Sequence, residues 1–207
     1  MKATQVALKP RTVFFVEAAA LPMTAQTAWT ALIAVGEVAP GQRVLIRGAA
    51  GGVGSLAVRL AKWRGAHVIG TGSGTGRTLA ESLGVDEFID YRTTAFKDAV
   101  HDADLVLDTL GGQTQEDSWG VMRRGGIPIA TAQPPSPERA GAAGVRAQLI
   151  FTQPSADVLE KIAALVDIGK LRPIIGAELS PAHAAGAHEL IQSNRANGKI
   201  VLHVGQP

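Results

Sequence analysis

The sequence contains no cysteine among its 207 residues, which excludes disulfide bonds, thiol catalysis and cysteine-ligated zinc. No apolar run approaches the ~20 residues that a membrane-spanning helix needs. The lysines and arginines are scattered, and the formal net charge is only +2. The composition therefore predicts a cytoplasmic globular protein that spans no membrane and binds no nucleic acid.

Histidine is also scarce, with five residues that lie far apart in the chain. Only His183 and His188 are near one another, and their i, i+5 spacing does not place two rings on one helical face. We therefore predict no metal site. The first ten residues have neither the apolar core nor the cleavage site of a signal peptide.

The most informative stretch is residues 43–71, RVLIRGAAGGVGSLAVRLAKWRGAHVIGT. It reads as an apolar strand, a glycine turn, an amphipathic helix and a second apolar strand. The turn fits A-x-G-x-x-G, with Ala49 in the first glycine position. Gly51 allows close approach of a pyrophosphate, Gly54 allows the helix to pack on the strand, and the helix N-terminus offers free N–H groups. Inside a β-α-β unit this pattern predicts a dinucleotide site.

The rest of the chain alternates strands with helices. Hydrophobic patterning predicts strands at 44–47, 67–71, 87–91, 105–107, 127–130 and 199–204, and allows another at 146–151. It predicts helices at 24–35, 53–61, 77–83, 116–122, 155–169 and 181–193, and an irregular loop at 131–144. Pro128 favours an edge or strand-end position. We predict an α/β fold with a Rossmann-type doubly wound parallel sheet, a short N-terminal extension and a C-terminal helix-strand return.

The end of the second strand bears on the choice of dinucleotide. NAD-binding folds usually place an acid there to bond the ribose hydroxyls, whereas this chain has Gly-Thr-Gly-Ser and no acid before Glu81. Ser73 could donate to a 2′-phosphate, and Arg77 could pair with it. The alternative is that Arg77 is a solvated surface residue. The pattern favours NADP(H) over NAD(H).

Six blocks follow one another along the chain: EAAALPMTAQTAWTAL, VAPGQRVLIRGAAGGVGSLAVRLAK, LGVDEFIDYR, LDTLGG, RRGG and NGKIVLHV. Together they resemble the medium-chain dehydrogenase/reductase superfamily, in particular its zinc-independent quinone oxidoreductase-like branch. The resemblance covers nearly the whole chain. It implies an NADPH-dependent oxidoreductase that transfers a hydride to quinones or α,β-unsaturated carbonyl compounds, and it identifies no catalytic residue here.

The resemblance also implies a set of cofactor-binding residues. These are Thr27 near the nicotinamide; Ala50, Gly51, Gly52, Val53 and Gly54 in the glycine turn at the pyrophosphate; Ser73, Arg77 and Tyr91 around the 2′-phosphate; Thr109 and Leu110 along the ribose; and Arg195 near the cofactor. Two of them have plain structural alternatives. Tyr91 could pack on the sheet as a strand-end tyrosine, and Arg195 could compensate charge at a helix C-terminus.

Relatives of this kind carry an N-terminal GroES-like domain that supplies one wall of the substrate cleft. Here residues 1–22 resemble only its remnant and linker, and residues 23–207 the dinucleotide-binding domain with its return segment. Two other functions stay open: a non-catalytic NADP(H)-binding sensor or scaffold, and an S-adenosylmethionine binder, which the rest of the chain does not support.

The segment RAQLIF at 146–151 would form an apolar sheet edge. Relatives in the family dimerise by joining such edges into one continuous sheet. The resemblance therefore implies a homodimer that is formed through residues 146–151.

Overall fold

A computed structural model describes residues 2–193 and 196–205 of the chain. A parallel β-sheet lies at its centre, and a short two-stranded sheet lies beside it. The strands are β1 (Arg43–Arg47), β2 (His67–Gly72), β3 (Glu87–Asp90), β4 (Ala103–Asp108), β5 (Met122–Ala130), β6 (Gln148–Leu149), β7 (Ile175–Leu179) and β8 (Lys199–Leu202).

The six strands of the central sheet lie in the order β3-β2-β1-β4-β5-β6, and all pair in parallel. Strand order reverses between β1 and β4, so the connections leave a crevice at the carboxyl ends of these two strands. The predicted Rossmann-type doubly wound sheet is confirmed. Strands β7 and β8 pair with each other instead of extending it.

The helices cover both faces of the central sheet. They are α1 (Phe15–Ala19), α2 (Pro22–Trp29), α3 (Gly52–Trp63), α4 (Arg77–Ser82), α5 (Phe96–Ala99), α6 (Gln113–Ser118), α7 (Pro137–Ala143), α8 (Ala156–Asp167) and α9 (Ala184–Gln192). Helix α2 continues through Thr30–Val35 as a π-helical turn. Within the described ranges, no helix is both long and apolar enough to cross a membrane.

Helix α3 packs its predicted apolar stripe against the sheet. Leu56, Ala57, Leu60 and Ala61 are all buried, and each such leucine contributes about 1.5–3 kcal/mol by leaving water. Helix α8 was also predicted from its periodicity. The hydroxyl of Ser155 caps it by accepting from the amide of Val158 at 3.4 Å.

The N-terminal segment docks on the end of α8. One carboxylate oxygen of Asp167 accepts from the amides of Arg11 and Thr12, at 2.7 and 3.0 Å, and from the Thr12 hydroxyl. The bond from the Thr12 amide is the main cause that lowers the pKa of Asp167. Val13 and Leu21 are buried in the main core, so this segment packs with the domain that follows it.

Two sequence predictions fail where local signals were misread. The stretch 131–144, predicted as a loop, contains α7, because the Ser136 hydroxyl caps its first turn by accepting from the amide of Arg139 at 3.2 Å, and Pro137 suits the first helical position. Gly144 ends this helix at a φ of 66°. Residues 146–151 were allowed as a six-residue strand, but only the two residues of β6 pair with β5.

Other boundaries also shift. Helix α2 begins at Pro22 instead of Thr24, and the Thr24 hydroxyl donates to the carbonyl of Ala20 at 2.6 Å instead of capping. The C-terminal helix begins as a 3-10 turn and becomes α9 at Ala184. Strand β7 and helix α5 are additional elements that the patterning did not predict.

Pro128 lies inside β5, which has a strand on each side. It therefore does not occupy the edge or strand-end position that the sequence predicted. Its alternate neighbours Gly126 and Ala130 give their carbonyls to amides of the segment that carries β6. The nitrogen of Pro128 therefore faces the side on which only Gln148 and Leu149 pair. The proline removes no bond from the longer β4–β5 ladder.

Candidate functional site

A cleft of about 490 Å³ opens at the carboxyl ends of β1, β2 and β4. The glycine turn forms one wall of the cleft. Residues 196–200, here termed the C-terminal strap, form another wall. The lining residues are Thr24, Gly48, Ala50, Gly51, Gly52, Val53, Thr71, Gly72, Ser73, Gly76, Tyr91, Thr109, Leu110, Ile191, Ala196, Asn197, Gly198, Lys199 and Ile200.

The glycine turn works with alanine in its first glycine position because the preceding residue takes the strained conformation. Gly48 has a φ of 69°, whereas the φ of Ala49 is not positive and its side chain is fully buried. Gly54 is required for close packing, since a Cβ there would lie 2.0 Å from the carbonyl oxygen of Gly48. The turn therefore brings the start of α3 directly against the end of β1.

Helix α3 begins at the cleft without a side-chain cap. Gly51 is its N-cap residue and has no side chain to accept from the first-turn amides. Gly51, Gly52 and Val53 all line the cleft. The free amides and the positive end of the helix dipole therefore favour an anionic group at this wall.

The C-terminal strap lies across the same turn. The amide of Gly198 donates to the carbonyl of Ala50 at 2.8 Å, and Gly198 forms a parallel bridge with Gly51. The side chain of Asn197 also approaches Gly76, at 3.5 Å from the position of a Cβ there. Residues far apart in sequence thus enclose the glycine turn.

Lys199 is a charged residue of the cleft that the sequence did not predict. The stem of its side chain lies over Gly52, where a Cβ would be 2.7 Å from the lysine Cδ. Among the described lining residues it is the only charged one, and none is acidic. Its sequence block, NGKIVLHV, was recognised, but only the folded chain places that block beside the glycine turn.

At the far end of the cleft, Ser73 and Tyr91, which the resemblance places around a 2′-phosphate, are lining residues. The Tyr91 ring is 54% exposed, and its amide donates to the carbonyl of Gly72. The carboxylate of Asp90 lies close by, accepting from the Arg92 amide at 3.0 Å and facing Gly74. Asp90 does not line the cleft, and none of the described lining residues at this end carries a carboxylate.

Arg77 lies just outside the cleft. Its guanidinium pairs with Glu81 at 3.4 Å and lies over the ring of Phe88, 4.8 Å from the centroid. The side chain is 46% exposed, and the preceding residue, Gly76, does line the cleft. The structure therefore places Arg77 next to the lining residues and holds it in a surface ion pair.

The four remaining predicted residues lie in different places. Thr109 and Leu110 line the cleft at the end of β4. Thr27 is buried one helical turn away from the cleft wall, where its hydroxyl shares a 2.7 Å hydrogen bond with that of Thr152. Thr24, on the same helix, lines the cleft instead. Arg195 lies outside the described residues.

Within residues 2–193 and 196–205, no three His, Asp or Glu side chains cluster so as to hold a metal ion. The described lining of the cleft consists mainly of glycines, hydroxyl groups and aliphatic side chains, with Lys199 as the charged residue. Such a surface suits a ligand with an anionic centre and uncharged ends.

Comparison with known proteins supports this description. The family model for zinc-binding dehydrogenases matches residues 83–202. The mitochondrial NAD(P)H oxidoreductase RTN4IP1 of Danio rerio is 29% identical, over 97% of this chain and 60% of the relative. The chloroplastic NADPH-dependent alkenal/one oxidoreductase of Arabidopsis thaliana is 31% identical, over 96% of this chain and 50% of the relative.

A solved structure gives the same result. The quinone oxidoreductase of Coxiella burnetii superposes with a TM-score of 0.89 at 32% identity, covering 95% of this chain and 63% of that one. The chain thus spans only part of the length of the relatives that it matches. The matched part is their C-terminal, nucleotide-binding portion.

The position of Lys199 gives a testable prediction. Replacing it by Met should weaken binding of the expected dinucleotide by about 1–3 kcal/mol, because a charge-assisted contact to the diphosphate is lost. The loss should be equal for NADPH and NADH and should shrink at high salt. Isothermal titration calorimetry measures both, with Lys170→Met, an exposed lysine outside the cleft, as the control. Unchanged affinity for K199M would contradict this role.

Proposed function

The chain belongs to the zinc-binding dehydrogenase family, within the medium-chain dehydrogenase/reductase superfamily, and from that premise we propose that it is an NADP(H)-dependent oxidoreductase. Its substrates in this proposal are quinones or α,β-unsaturated carbonyl compounds. The Arabidopsis relative is named for alkenals and enones, and the Coxiella structure for quinones.

One observation carries the proposal. The uncapped N-terminus of α3 and the side chain of Lys199 converge on a cleft whose described lining residues include no carboxylate. Amide hydrogens and an ammonium group are suited to a diphosphate, and the cleft continues past the glycine turn to Ser73 and Tyr91 and to Thr109 and Leu110. A dinucleotide has this distribution of charge.

Different residues of the cleft would bind different parts of the cofactor. The glycine turn and Lys199 would bind the diphosphate, while Thr109 and Leu110 would lie along a ribose. Ser73 and Tyr91 would contact the adenosine end, with Arg77 at its margin. Among the described residues no acid lines the cleft at the end of β2, and this supports the 2′-phosphorylated cofactor, since the carboxylate that usually bonds the ribose hydroxyls of NAD is not in that position.

When bound, NADPH supplies the hydride for reduction. The chain's own contribution is to orient the cofactor between the glycine turn and the C-terminal strap and to exclude water with Ile191 and Ile200. We assign no proton donor. Tyr91 and Lys199 are the titratable residues among the described lining residues, and both would contact the cofactor and not the substrate.

The proposal is tested by turnover. The purified chain should bind NADPH and oxidise it in the presence of a simple quinone or an enone, followed by the loss of NADPH absorbance. Binding without any oxidation would instead support the alternative function, a non-catalytic NADP(H) sensor or scaffold. A chain that binds no pyridine dinucleotide would refute both functions.

The preference for NADPH depends on Arg77 in this proposal. Arg77→Ala should weaken NADPH binding by roughly 1–3 kcal/mol and leave NADH binding unchanged, because only NADPH carries the 2′-phosphate. Glu81→Gln is the matched variant: it frees the guanidinium from its ion pair, so NADPH should bind more tightly and NADH as before. Titration of each variant with both cofactors decides the point. Equal weakening of both cofactors by R77A would contradict a phosphate contact.

We further propose a homodimer formed through the sheet edge at β6. This strand has a neighbour on one side only, within the described residues, and Phe151 beside it is 73% exposed. Ile150 is buried in the main core, with 5% exposure, so it stabilises the fold and cannot serve as the contact residue. Main-chain hydrogen bonds between the β6 edges of two protomers would cover both edges, and Phe151 of each protomer would lie beside the contact.

Sedimentation equilibrium tests the dimer. Phe151→Lys should convert a dimeric wild type into a monomer, because a charge would be placed in the edge contact. Phe15→Lys is the control, since Phe15 is 81% exposed and belongs to α1, outside the segment that carries β6. A monomeric wild type, or a dimer that persists in F151K, would refute this interface.

Two expectations about the whole protein stay predictions from the sequence. One is the division into a linker at 1–22 and a dinucleotide-binding domain at 23–207. The other is the cytoplasmic location, since the Danio and Arabidopsis relatives are named as mitochondrial and chloroplastic proteins.

A further inference from the structure

A buried arginine lies beneath the floor of the cleft, at the last residue of β1. Arg47 is only 3% exposed. Alternation along β1 puts it on the same face as Leu45, in the smaller core with Ile69 and Phe96, opposite the face that packs on α3. Burying a guanidinium is costly unless it is paired and hydrogen-bonded, so the partners of Arg47 must offset the cost of its burial.

Its contacts come from three different elements. The Nε of Arg47 donates to the Thr71 hydroxyl in β2 at 3.1 Å, and a terminal nitrogen donates to the carbonyl of Thr114 in α6 at 3.3 Å. The guanidinium also lies 3.8 Å from the ring centroid of Phe96 in α5. A planar, multidentate cation can join such partners simultaneously, which an aliphatic side chain cannot.

These partners lead directly to the cleft. Thr71 itself is a lining residue. Thr114 donates its hydroxyl to the carbonyl of Gly111 at 2.7 Å, in the loop that follows β4. The hydroxyl of Thr109, another lining residue, donates to the main-chain carbonyl of Arg47 at 3.0 Å. Arg47 therefore contacts both sides of the cleft floor.

The charge of Arg47 is balanced by carboxylates nearby. Burial lowers its pKa, while the negative charges of Asp108 and Asp117 act in the opposite direction. Asp108, also 3% exposed, accepts from the amides of Leu110 and Gly111 at 3.0 and 3.1 Å. The same carboxylate thus orients the loop after β4 and compensates the buried guanidinium.

We propose that Arg47 is a positioning residue for the dinucleotide cleft. Its side chain braces Thr71, at the end of β2, against the loop of residues 109–112 that follows β4. Arg47 does not itself line the cleft, so it acts through these residues. The inference rests on the proposed function, because the braced residues are those expected along the cofactor.

The test compares Arg47→Met and Arg47→Lys with wild type, well below each protein's melting temperature. NADPH should bind about tenfold more weakly to R47M, and R47K should recover part of the loss because it keeps the charge and one hydrogen bond. Arg59→Met is the matched control. Burial also lowers the pKa of Arg59, but it lies on α3 and does not line the cleft or contact its loops through any described hydrogen bond.

A second readout separates positioning from simple stabilisation. Hydrogen exchange of the ligand-free protein should be faster at the amides of Leu110 and Gly111 in R47M and R47K, and unchanged there in R59M. Reduced thermal stability with wild-type affinity and wild-type exchange at those amides would overturn the proposal. If R47M does not fold, R47K alone decides by the same two measurements.

The two hypotheses fail in different ways. Wild type that binds no NADPH would refute the proposed function, while exchange at Leu110 and Gly111 would still report whether Arg47 braces the loop. Wild type that binds NADPH, together with folded R47K that binds it equally well and exchanges equally slowly, would refute the role of Arg47 alone.

Discussion

The structure depends on the close approach of α3 to the end of β1. Gly54 allows this approach, because any side chain there would collide with the carbonyl of Gly48. The helix consequently starts inside the crevice that the reversal of strand order creates between β1 and β4. With glycine as its N-cap residue, it presents unoccupied amide hydrogens to the cleft instead of satisfying them with a side chain.

The charges around the cleft follow from that arrangement. Its described walls contain one lysine and no carboxylate, so the positive end of the helix is not neutralised locally. Below the floor, the buried Arg47 and Asp108 compensate one another, and both act on the loops that shape the cleft. Charge that could attract a ligand is thus exposed in the cleft, and charge that organises its loops is kept out of water.

Much of this organisation can be predicted from the sequence, for physical reasons. The β-α-β unit depends on local periodicity and on glycines at fixed spacing. Both can be read from the sequence, and the structure has the two strands and the helix where they predict them. Helix α7 was missed because its prolines and glycines resemble a loop, although Ser136 and Pro137 are also a helix start. Strand β6 was overextended, since pairing depends on a partner strand that local patterning does not describe.

The sequence by itself determined the fold class, the glycine turn and eight of the nineteen described cleft residues, because these depend mainly on neighbours within one supersecondary unit. Tertiary structure alone decided that Lys199 crosses Gly52, that Arg77 is held by Glu81 and Phe88, and that Thr24 lines the cleft instead of Thr27. These contacts form only when the C-terminal strap packs on the glycine turn and when each side chain has met its partners in the folded chain. Contacts between residues distant in the chain carry no periodic signal from which they could be predicted.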